Sequence, residues 1–301
     1  MNDCCPICAS GKLQAIFDGA RDWEYGVKGL FDFKCCVNCG FLILSPMPSI
    51  EQLRLFYPSS YHGFHTSDAG LVTLLYRVVY YFRFREYKRL IGNGRRLLDI
   101  GCADAPYFDL LKKSFSEIDS TGIEFKDEIA EKGRKLGRKI ITGVLADLDD
   151  TEKFDLIIMN NLIEHVVDPI EELKKAHSLL KSGGYIFLET PNTDSLDFHI
   201  AKKYWGGLHV PRHTCIFSRT SLGILAEKTG FSIKSVKFLL NTDHWALSVQ
   251  NFLQGYSMSQ CHLNNGRAWY YKLLLIVFIP LNFLQMLMGK TGSMTAILKK
   301  A

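Results

Sequence analysis

The sequence predicts an α/β fold: a doubly wound, mostly parallel, seven-stranded sheet, with a small N-terminal unit before it and a helical extension after it. From residue 95 onward, short apolar runs alternate with amphipathic segments of helical length. Apolar strands separated by amphipathic helices are typical of a parallel sheet covered by helices on both faces. With 301 residues, 47% of them hydrophobic, the chain is large enough to bury such a core.

The α/β alternation extends from about Arg95 to Lys237, and we assign residues 95–250 to this domain. Five apolar runs predict strands, at 95–100, 120–124, 139–143, 154–160 and 184–190. Helices are predicted at 106–115 and 126–137, and a third begins at Pro169 and ends at Gly183-Gly184.

Six of the nine cysteines fall in two short clusters near the N-terminus. A C-x-x-C spacing lets two sulfurs bind one ion, and four thiolates form a closed structural zinc site. The two pairs are Cys5 with Cys8 and Cys36 with Cys39, although Cys4 or Cys35 can replace its neighbour. Residues 1–45 are therefore predicted to be a zinc ribbon, which has too little core to fold without its metal.

Residues 46–94 are predicted to be a linker and a helical lid segment. The stretch Ser45-Pro-Met-Pro-Ser49 interrupts regular structure and caps a short helix, Ile50–Phe56. A longer helix is predicted from Leu71 to Ile91, where basic side chains interrupt an aromatic and aliphatic pattern. Core packing is our interpretation of this helix, and contact with an anionic membrane surface is the alternative.

Charge and the first residues limit the classes of partner and compartment. The net charge is +5, and acidic residues are interspersed with the basic ones, so we expect no nucleic-acid partner. The first residues, MNDCCPIC, lack the basic region and apolar run of a secretory signal, which predicts a cytoplasmic protein.

The stretch LLDIGCADAPYF, residues 97–108, predicts a ligand site at a strand end. In a doubly wound sheet, ligands bind outside the carboxyl ends of the strands. Asp99 closes the first predicted strand, and Gly101 lets backbone approach a ligand closely. Glu124 ends the second strand, where a carboxylate can accept both hydroxyls of a ribose. The pair predicts a cofactor that contains adenosine.

The loop after Asp99 favours S-adenosylmethionine (SAM) over a nicotinamide dinucleotide. A dinucleotide site needs the pattern G-x-G-x-x-G, and this loop has one glycine only, Gly101. Asp99 and Asp104 would repel a pyrophosphate but attract the ammonium and sulfonium of SAM.

Residues 95–192 resemble class I SAM-dependent methyltransferases, which have a Rossmann-like sheet. The matching stretches are LLDIGCADAPYF, GIE, ADLDD, KFDLIIMNNLIEHVVDP and LLKSGGYIFLETPN. The resemblance implies a cofactor site with Asp99 and Gly101 at the methionine part, Glu124 at the ribose, Asp147 at the adenine amino group, and Asn160 or Asn161 lining the pocket. Cys102 and Ala103 are further cofactor-binding candidates in the same loop, where Cys102 contributes backbone. This family usually has two further glycines where the chain has Ala103 and Ala105.

A narrower resemblance covers nearly the whole chain. The stretches CPIC, KCCVNCGFLILSPMPS, LFYPSSYH and WGGLHVPRHTCIFSRTSLGILAEKTGF are similar to zinc-ribbon methyltransferases of sugar and cell-surface glycan biosynthesis. This resemblance implies a small, sugar-containing or lipid-linked acceptor. It leaves open whether oxygen, nitrogen or carbon receives the methyl group.

Methyl transfer requires an aligned acceptor and, where the acceptor loses a proton, a base. His209 and His213 are the leading candidates for the base or for binding the acceptor. They lie in a long segment, 190–214, beside the predicted cofactor edge, which is the edge of the sheet where the strands of Asp99 and Glu124 end. Arg212 is expected to meet an acidic group of the acceptor. His165 is a further candidate base. Tyr57 and Tyr61, in the aromatic stretch FYPSSYH, are candidates to cover the site; each of these residues also has a purely structural interpretation. Glu164 is interpreted as a structural acid at a helix start.

Residues 251–301 are predicted to be an apolar C-terminal extension. Its most apolar part, 269–288, is interrupted by Lys272, Pro280, Asn282 and Gln285, which argues against a membrane span. Packing on the core, self-association and peripheral contact with the inner face of the membrane remain open.

The sequence therefore predicts a cytoplasmic zinc-ribbon methyltransferase that uses SAM and a structural zinc ion. Three alternatives remain: a nicotinamide-dependent oxidoreductase or epimerase on the same sheet, a nucleic-acid methyltransferase, and a cofactor-binding protein without turnover.

Overall fold

The computed structural model describes residues 4–58, 61, 70–256 and 263–301, with backbone alone for 70–79. The N-terminal unit is a four-stranded sheet in the order β1-β2-β3-β9. Its strands are β1 (Leu13–Ala20), β2 (Phe31–Cys36), β3 (Leu42–Ser45) and β9 (Cys215–Ile216). The last of these comes from far along the chain, so the predicted ribbon is completed by a segment of the predicted methyltransferase domain.

The second sheet has seven strands in the order β10-β11-β8-β7-β4-β5-β6. They are β4 (Arg96–Ile100), β5 (Asp119–Glu124), β6 (Ile140–Thr142), β7 (Phe154–Asn160), β8 (Leu180–Pro191), β10 (Phe231–Phe238) and β11 (Ser293–Lys300). Pairing is parallel from β8 to β6, and β11 is antiparallel to both of its neighbours. The predicted doubly wound, mostly parallel sheet is confirmed.

Helices cover both faces of the large sheet. One buried cluster joins α2 (Gly70–Ile91), α3 (Phe108–Ser114) and α4 (Asp127–Lys135) to one face. The other cluster joins α5 (Pro169–Leu179) and α7 (Arg219–Lys228) to the opposite face. The third predicted helix ends at Leu179 rather than at Gly183-Gly184, because Leu180 already pairs with Phe154 as the first residue of β8.

The C-terminal region differs from the predicted division at residue 250. Helix α8 (Asp243–Tyr256) crosses that point, and β11 lies inside the large sheet, between β8 and β10. The apolar stretch between them forms α9 (Tyr271–Val277) and α10 (Ile279–Leu287). Pro280 lies in the first turn of α10, where a missing backbone N–H is tolerated, so the stretch is two short helices. Along the described ranges, none of the helices combines the length and the apolar character needed to cross a membrane.

The N-terminal unit packs directly on the large domain. Phe41 contacts Phe217 with ring centroids 5.2 Å apart, and the Ser218 hydroxyl donates to the Cys39 carbonyl at 2.5 Å. The short helix α1 (Ile50–Leu55) follows, capped by Ser49 as predicted, with a reciprocal bond from Gln52. The two units therefore share one continuous core, which includes Cys5, Cys36 and Cys39.

Candidate cofactor edge and acceptor site

The loop after β4 holds three residues with left-handed backbone. Gly101, Ala103 and Ala105 have φ of 70°, 50° and 52°. Such angles are costly for residues with a Cβ atom, which explains why the related family has glycine at the last two positions. The turn brings backbone N–H groups to the carboxyl edge of the sheet. The Cys102 side chain packs on Gly122, where an added Cβ would lie 2.4 Å from its sulfur.

Glu124, the last residue of β5, holds this loop in place through hydrogen bonds. Its carboxylate accepts the backbone N–H groups of Ala103 at 3.1 Å and Lys126 at 3.0 Å. The side chain is buried, and burial raises its pKa. The carboxylate predicted to bind a ribose therefore stands at the cofactor edge.

Asp99 lies beside Glu124 in the sheet, because β4 and β5 pair with Asp99 opposite Gly122. Asp99 is 3% exposed, and burial, with the nearby charge of Glu124, raises its pKa to about 7. A buried carboxyl group at this edge is a natural partner for a positively charged ligand.

The remaining predicted cofactor residues follow β6 and β7. Asp147 is exposed, and its carboxylate accepts the Val144 N–H at 2.8 Å. At the end of β7, Asn160 has a buried side-chain oxygen that finds no partner among the described residues. Asn161 is exposed and has a φ of 48°. An orphaned buried acceptor at the strand edge is consistent with a ligand that donates a hydrogen bond there.

The four predicted catalytic side chains lie together. The ring centroid of His213 is 4.5 Å from that of His165 and 5.1 Å from that of His209. The ring of Tyr61 lies 5.6 Å from that of His209. This histidine cluster, His165, His209 and His213, lies beside the end of β7, because His165 follows that strand by five residues.

Two hydrogen bonds orient the histidines of the long loop. Nδ1 of His213 is 2.8 Å from the Gly207 carbonyl, so this nitrogen carries the proton. Nδ1 of His209 is 2.8 Å from a carboxylate oxygen of Glu24, which lies between β1 and β2. The second oxygen of Glu24 accepts from Arg267 at 2.8 Å. The N-terminal unit therefore supplies a carboxylate to the cluster, a role that local sequence signals did not indicate.

Arg212 differs from the expectation that it meets the acceptor. Its guanidinium is fully buried and donates to both carboxylate oxygens of Asp22, at 2.9 and 3.0 Å. It also stacks 4.6 Å from the ring centroid of Tyr25. Arg212 therefore links the long loop to the N-terminal unit. Its paired guanidinium N–H groups already bind Asp22 in the interior and are not available to an acceptor.

Glu164 differs from the expected helix-start acid. It lies in a short 3-10 turn, Ile163–His165, and is fully buried. One carboxylate oxygen accepts the Thr190 hydroxyl at 3.0 Å, and the other has no partner among the described residues. Burial raises its pKa to about 8, and burial lowers the pKa of the adjacent His165 to about 4.

Tyr57 connects the cofactor edge to the histidine cluster. Its carbonyl accepts a hydrogen bond from the Lys126 side chain at 3.0 Å, and its hydroxyl lies 2.8 Å from Nδ1 of His165. Its ring packs against Phe125, with centroids 5.9 Å apart. Tyr57, in the predicted lid segment, therefore bridges the end of β5 and the end of β7.

The four predicted zinc ligands converge in the N-terminal unit. The sulfurs of Cys5 and Cys39 are 3.7 Å apart, and those of Cys8 and Cys36 are 3.5 Å apart. Four sulfurs about 2.3 Å from one ion, arranged tetrahedrally, are about 3.8 Å from each other. All four lie within 4.8 Å of one another. The set therefore fits a zinc ion.

Comparison with known proteins identifies the family. The model of the family described as "Methyltransferase domain" matches residues 77–236, just over half of the chain. The chain belongs to this family, and it is a SAM-dependent methyltransferase. Membership in this family argues against the nicotinamide-dependent oxidoreductase or epimerase. Both classes would use the same edge of the sheet for their cofactor, and here that edge has the methyltransferase pattern.

Individual relatives are distant. A ubiquinone biosynthesis O-methyltransferase of Stutzerimonas stutzeri is 24% identical over 52% of this chain and 74% of its own length. The protein of the same name from Nitrosospira multiformis is 26% identical over 48% of this chain and 65% of its own length. Among solved structures, a SAM-dependent methyltransferase from Archaeoglobus fulgidus has a TM-score of 0.49 and 21% identity, covering 74% of this chain and 94% of that one.

Proposed function

We propose that the protein transfers the methyl group of SAM to a hydroxyl oxygen of a small acceptor, with His209 as the general base. The observation that carries the proposal is the hydrogen bond of 2.8 Å between His209 Nδ1 and Glu24, beside the cofactor edge. A carboxylate that accepts from Nδ1 fixes the tautomer with the lone pair on Nε2. In that form, Nε2 of His209 can accept the proton of an acceptor hydroxyl.

The cofactor residues are proposed in the roles that the resemblance implies. Asp99, with the backbone of Gly101, Cys102 and Ala103, holds the charged methionine part; Glu124 binds the ribose; Asp147, Asn160 and Asn161 border the adenine and the pocket. When bound, SAM would supply a methyl group attached to a positively charged sulfur. The bond between the methyl carbon and this sulfur breaks on transfer, and its electron pair stays on sulfur. The acceptor hydroxyl gives its proton to His209 as its oxygen takes the methyl group.

The acceptor is proposed to be hydroxylated and either sugar-containing or lipid-linked. The sugar-like character rests on the narrower sequence resemblance alone. The name O-methyltransferase of the two relatives supports oxygen as the methylated atom. A structural zinc ion in the four-cysteine site is part of the proposal, with Cys5, Cys8, Cys36 and Cys39 as its ligands.

Methyl transfer from labelled SAM to a panel of nucleotide-linked sugars, polyprenyl-linked sugars and polyprenyl phenols tests the proposal. On any accepted substrate, His209→Gln should lower kcat by about 100-fold or more and leave SAM affinity unchanged. His199→Gln is the matched control, because His199 is exposed and is not a member of the histidine cluster. Full activity of His209→Gln would remove His209 as the base.

A second proposal concerns location: the surface of α9 and α10 contacts an anionic membrane. Large apolar side chains there are exposed, including Ile276 at 66%, Leu287 at 68% and Met288 at 70%. No acidic residue occurs in the sequence between residues 263 and 292, whereas Lys272 and Lys290 are exposed. An exposed apolar patch with a basic border favours the interface of an anionic bilayer.

A further inference from the structure

We propose that Glu164, His165 and His213 form a second metal site, separate from the four-cysteine site, that binds a divalent transition-metal ion. One ligand atom from each residue lies within 4.8 Å of the other two. Two of the residues follow β7, and the third comes from the long loop, so the cluster is assembled by the fold. Its use in catalysis rests on the proposed function; its capacity to bind metal does not.

Glu164 provides the strongest observation. It is fully buried, and only one of its two carboxylate oxygens has a hydrogen-bond donor in the part of the chain that the structure describes. The other oxygen, Oε1, lies 4.0 Å from Nε2 of His213, too far for a hydrogen bond. A buried carboxylate oxygen without a donor is costly, and a cation between these two atoms would satisfy both.

Both histidines are held as metal ligands usually are, by a hydrogen bond on the other ring nitrogen. Nδ1 of His213 donates to the Gly207 carbonyl at 2.8 Å, which leaves the Nε2 lone pair directed toward Glu164. Nδ1 of His165 lies 3.1 Å from the Arg212 carbonyl and 2.8 Å from the Tyr57 hydroxyl. In the tautomer that donates from Nδ1 to the carbonyl, the lone pair of His165 is on Nε2.

The two backbone segments that carry the ligands are fastened together. The Thr214 N–H donates to the Glu164 carbonyl at 2.8 Å, and the Thr214 hydroxyl donates to the Val166 carbonyl at 2.7 Å. Arg212, two residues earlier, is fixed by Asp22. The site is therefore preorganised rather than dependent on a mobile side chain.

The donor set indicates the class of metal. Two imidazoles and one carboxylate suit Zn²⁺, Fe²⁺, Co²⁺ or Mn²⁺, whereas Mg²⁺ and Ca²⁺ prefer oxygen ligands. Three protein ligands leave at least one coordination position for an oxygen of the acceptor. A cation there would lower the pKa of an acceptor hydroxyl, which makes the loss of its proton to His209 easier.

The test is a titration of the purified full chain, with zinc retained in the four-cysteine site, with Co²⁺. We expect one equivalent to bind with the visible absorption of nitrogen- and oxygen-ligated cobalt, without the near-ultraviolet band of a cobalt thiolate. Glu164→Gln and His213→Gln should each bind at least tenfold more weakly, and His199→Gln should bind as the wild type does. SAM affinity, measured on each variant, shows that the fold is retained; His165→Gln replaces any variant that fails this criterion.

The titration contains no acceptor, so its result is independent of the proposed activity. Stoichiometric cobalt that is lost in the ligand variants supports the site even if no acceptor of the panel is methylated. Equal cobalt binding by the wild type and by correctly folded Glu164→Gln, or a spectrum with a thiolate band only, would overturn it. Methylation without cobalt binding would leave the proposed function intact and remove the metal site.

Discussion

Glu24 accepts a hydrogen bond from His209 at 2.8 Å, although 185 positions separate the two residues in the sequence. The carboxylate comes from the connection between β1 and β2 of the N-terminal unit, and the imidazole comes from the loop after α6 (Leu196–Ala201). Asp22 and Arg212 form a second bond between the same two segments. The N-terminal unit therefore contributes a carboxylate to the proposed acceptor site, in addition to any role as a metal-bound module.

Substitution of Glu24 by Gln should lower kcat by about tenfold or more, because an amide no longer favours the tautomer with the lone pair on Nε2 of His209. SAM affinity should not change, since the cofactor residues are on other elements. Steady-state kinetics with isothermal titration of SAM measures both quantities. Glu51→Gln, at an exposed position of α1, is the control. Equal losses in kcat and in SAM affinity would indicate a general disruption and contradict the assigned role.

Loss of the four-cysteine site should abolish methyl transfer. The Cys39 carbonyl accepts from Ser218, and β3 pairs with β9 immediately after the long loop, so disorder of the ribbon would reach the histidine cluster. We expect one zinc ion per chain in the purified protein and none in Cys39→Ser, by metal analysis after a chelator wash. Cys35→Ser is the matched control, because Cys35 is adjacent in β2 but outside the convergent set. An active, zinc-free protein would contradict this prediction.

Asp99 should make SAM binding pH-dependent. Burial raises its folded-state pKa from 3.8 to about 7, so the unliganded protein holds it protonated at lower pH. Because the pKa of Asp99 is higher in the folded than in the unfolded state, its protonation stabilises the fold. This stabilisation is complete below about pH 4 and is lost as pH rises through 7. A cationic ligand favours the ionised form, so SAM should bind more weakly below pH 7, by about tenfold per pH unit for one linked proton.

Isothermal titration between pH 5.5 and 8.5 measures this dependence, and Asp99→Asn should flatten it. Other groups act on Asp99 and must be compared through their own variants; they are Tyr107, Glu124, Arg83, Tyr87 and Cys102. An unchanged slope in Asp99→Asn would assign the linked proton to another group, with Glu124 tested next through Glu124→Gln.

Features encoded by local signals were predictable from the sequence. The C-x-x-C spacing identified the four converging sulfurs, and the apolar run around Asp99 identified β4. The acidic residues at two adjacent strand ends were predictable for the same reason: parallel pairing brings the carboxyl ends of neighbouring strands together. Ala103 and Ala105 have backbone angles that glycine adopts more easily, so the loop keeps its left-handed turn where the chain departs from the family pattern.

Features that depend on contacts between distant segments were not predictable. The strand β11 follows a long apolar stretch, and nothing in SMTAILKK indicates that it inserts between β8 and β10. Asp22 and Glu24 appear in the sequence as ordinary surface acids of a short connection. Their burial against Arg212 and His209 arises only when the N-terminal unit packs on the long loop.

The apolar surface of α9 and α10 should bind anionic vesicles. Removal of the C-terminal region would also remove β11 from its place between β10 and β8 in the sheet, so substitutions provide the better test. The double variant Ile276→Glu/Leu287→Glu should reduce flotation with phosphatidylglycerol vesicles at least several-fold, because two carboxylates would enter the interface. Leu55→Glu/Leu136→Glu is the control, with both leucines exposed elsewhere, at 81% and 61%.

Binding of the protein to the vesicles should fall with salt and be weak on phosphatidylcholine alone. Equal flotation of the two double variants would show that this surface does not contact lipid, and a change in oligomeric state of Ile276→Glu/Leu287→Glu would assign it to self-association.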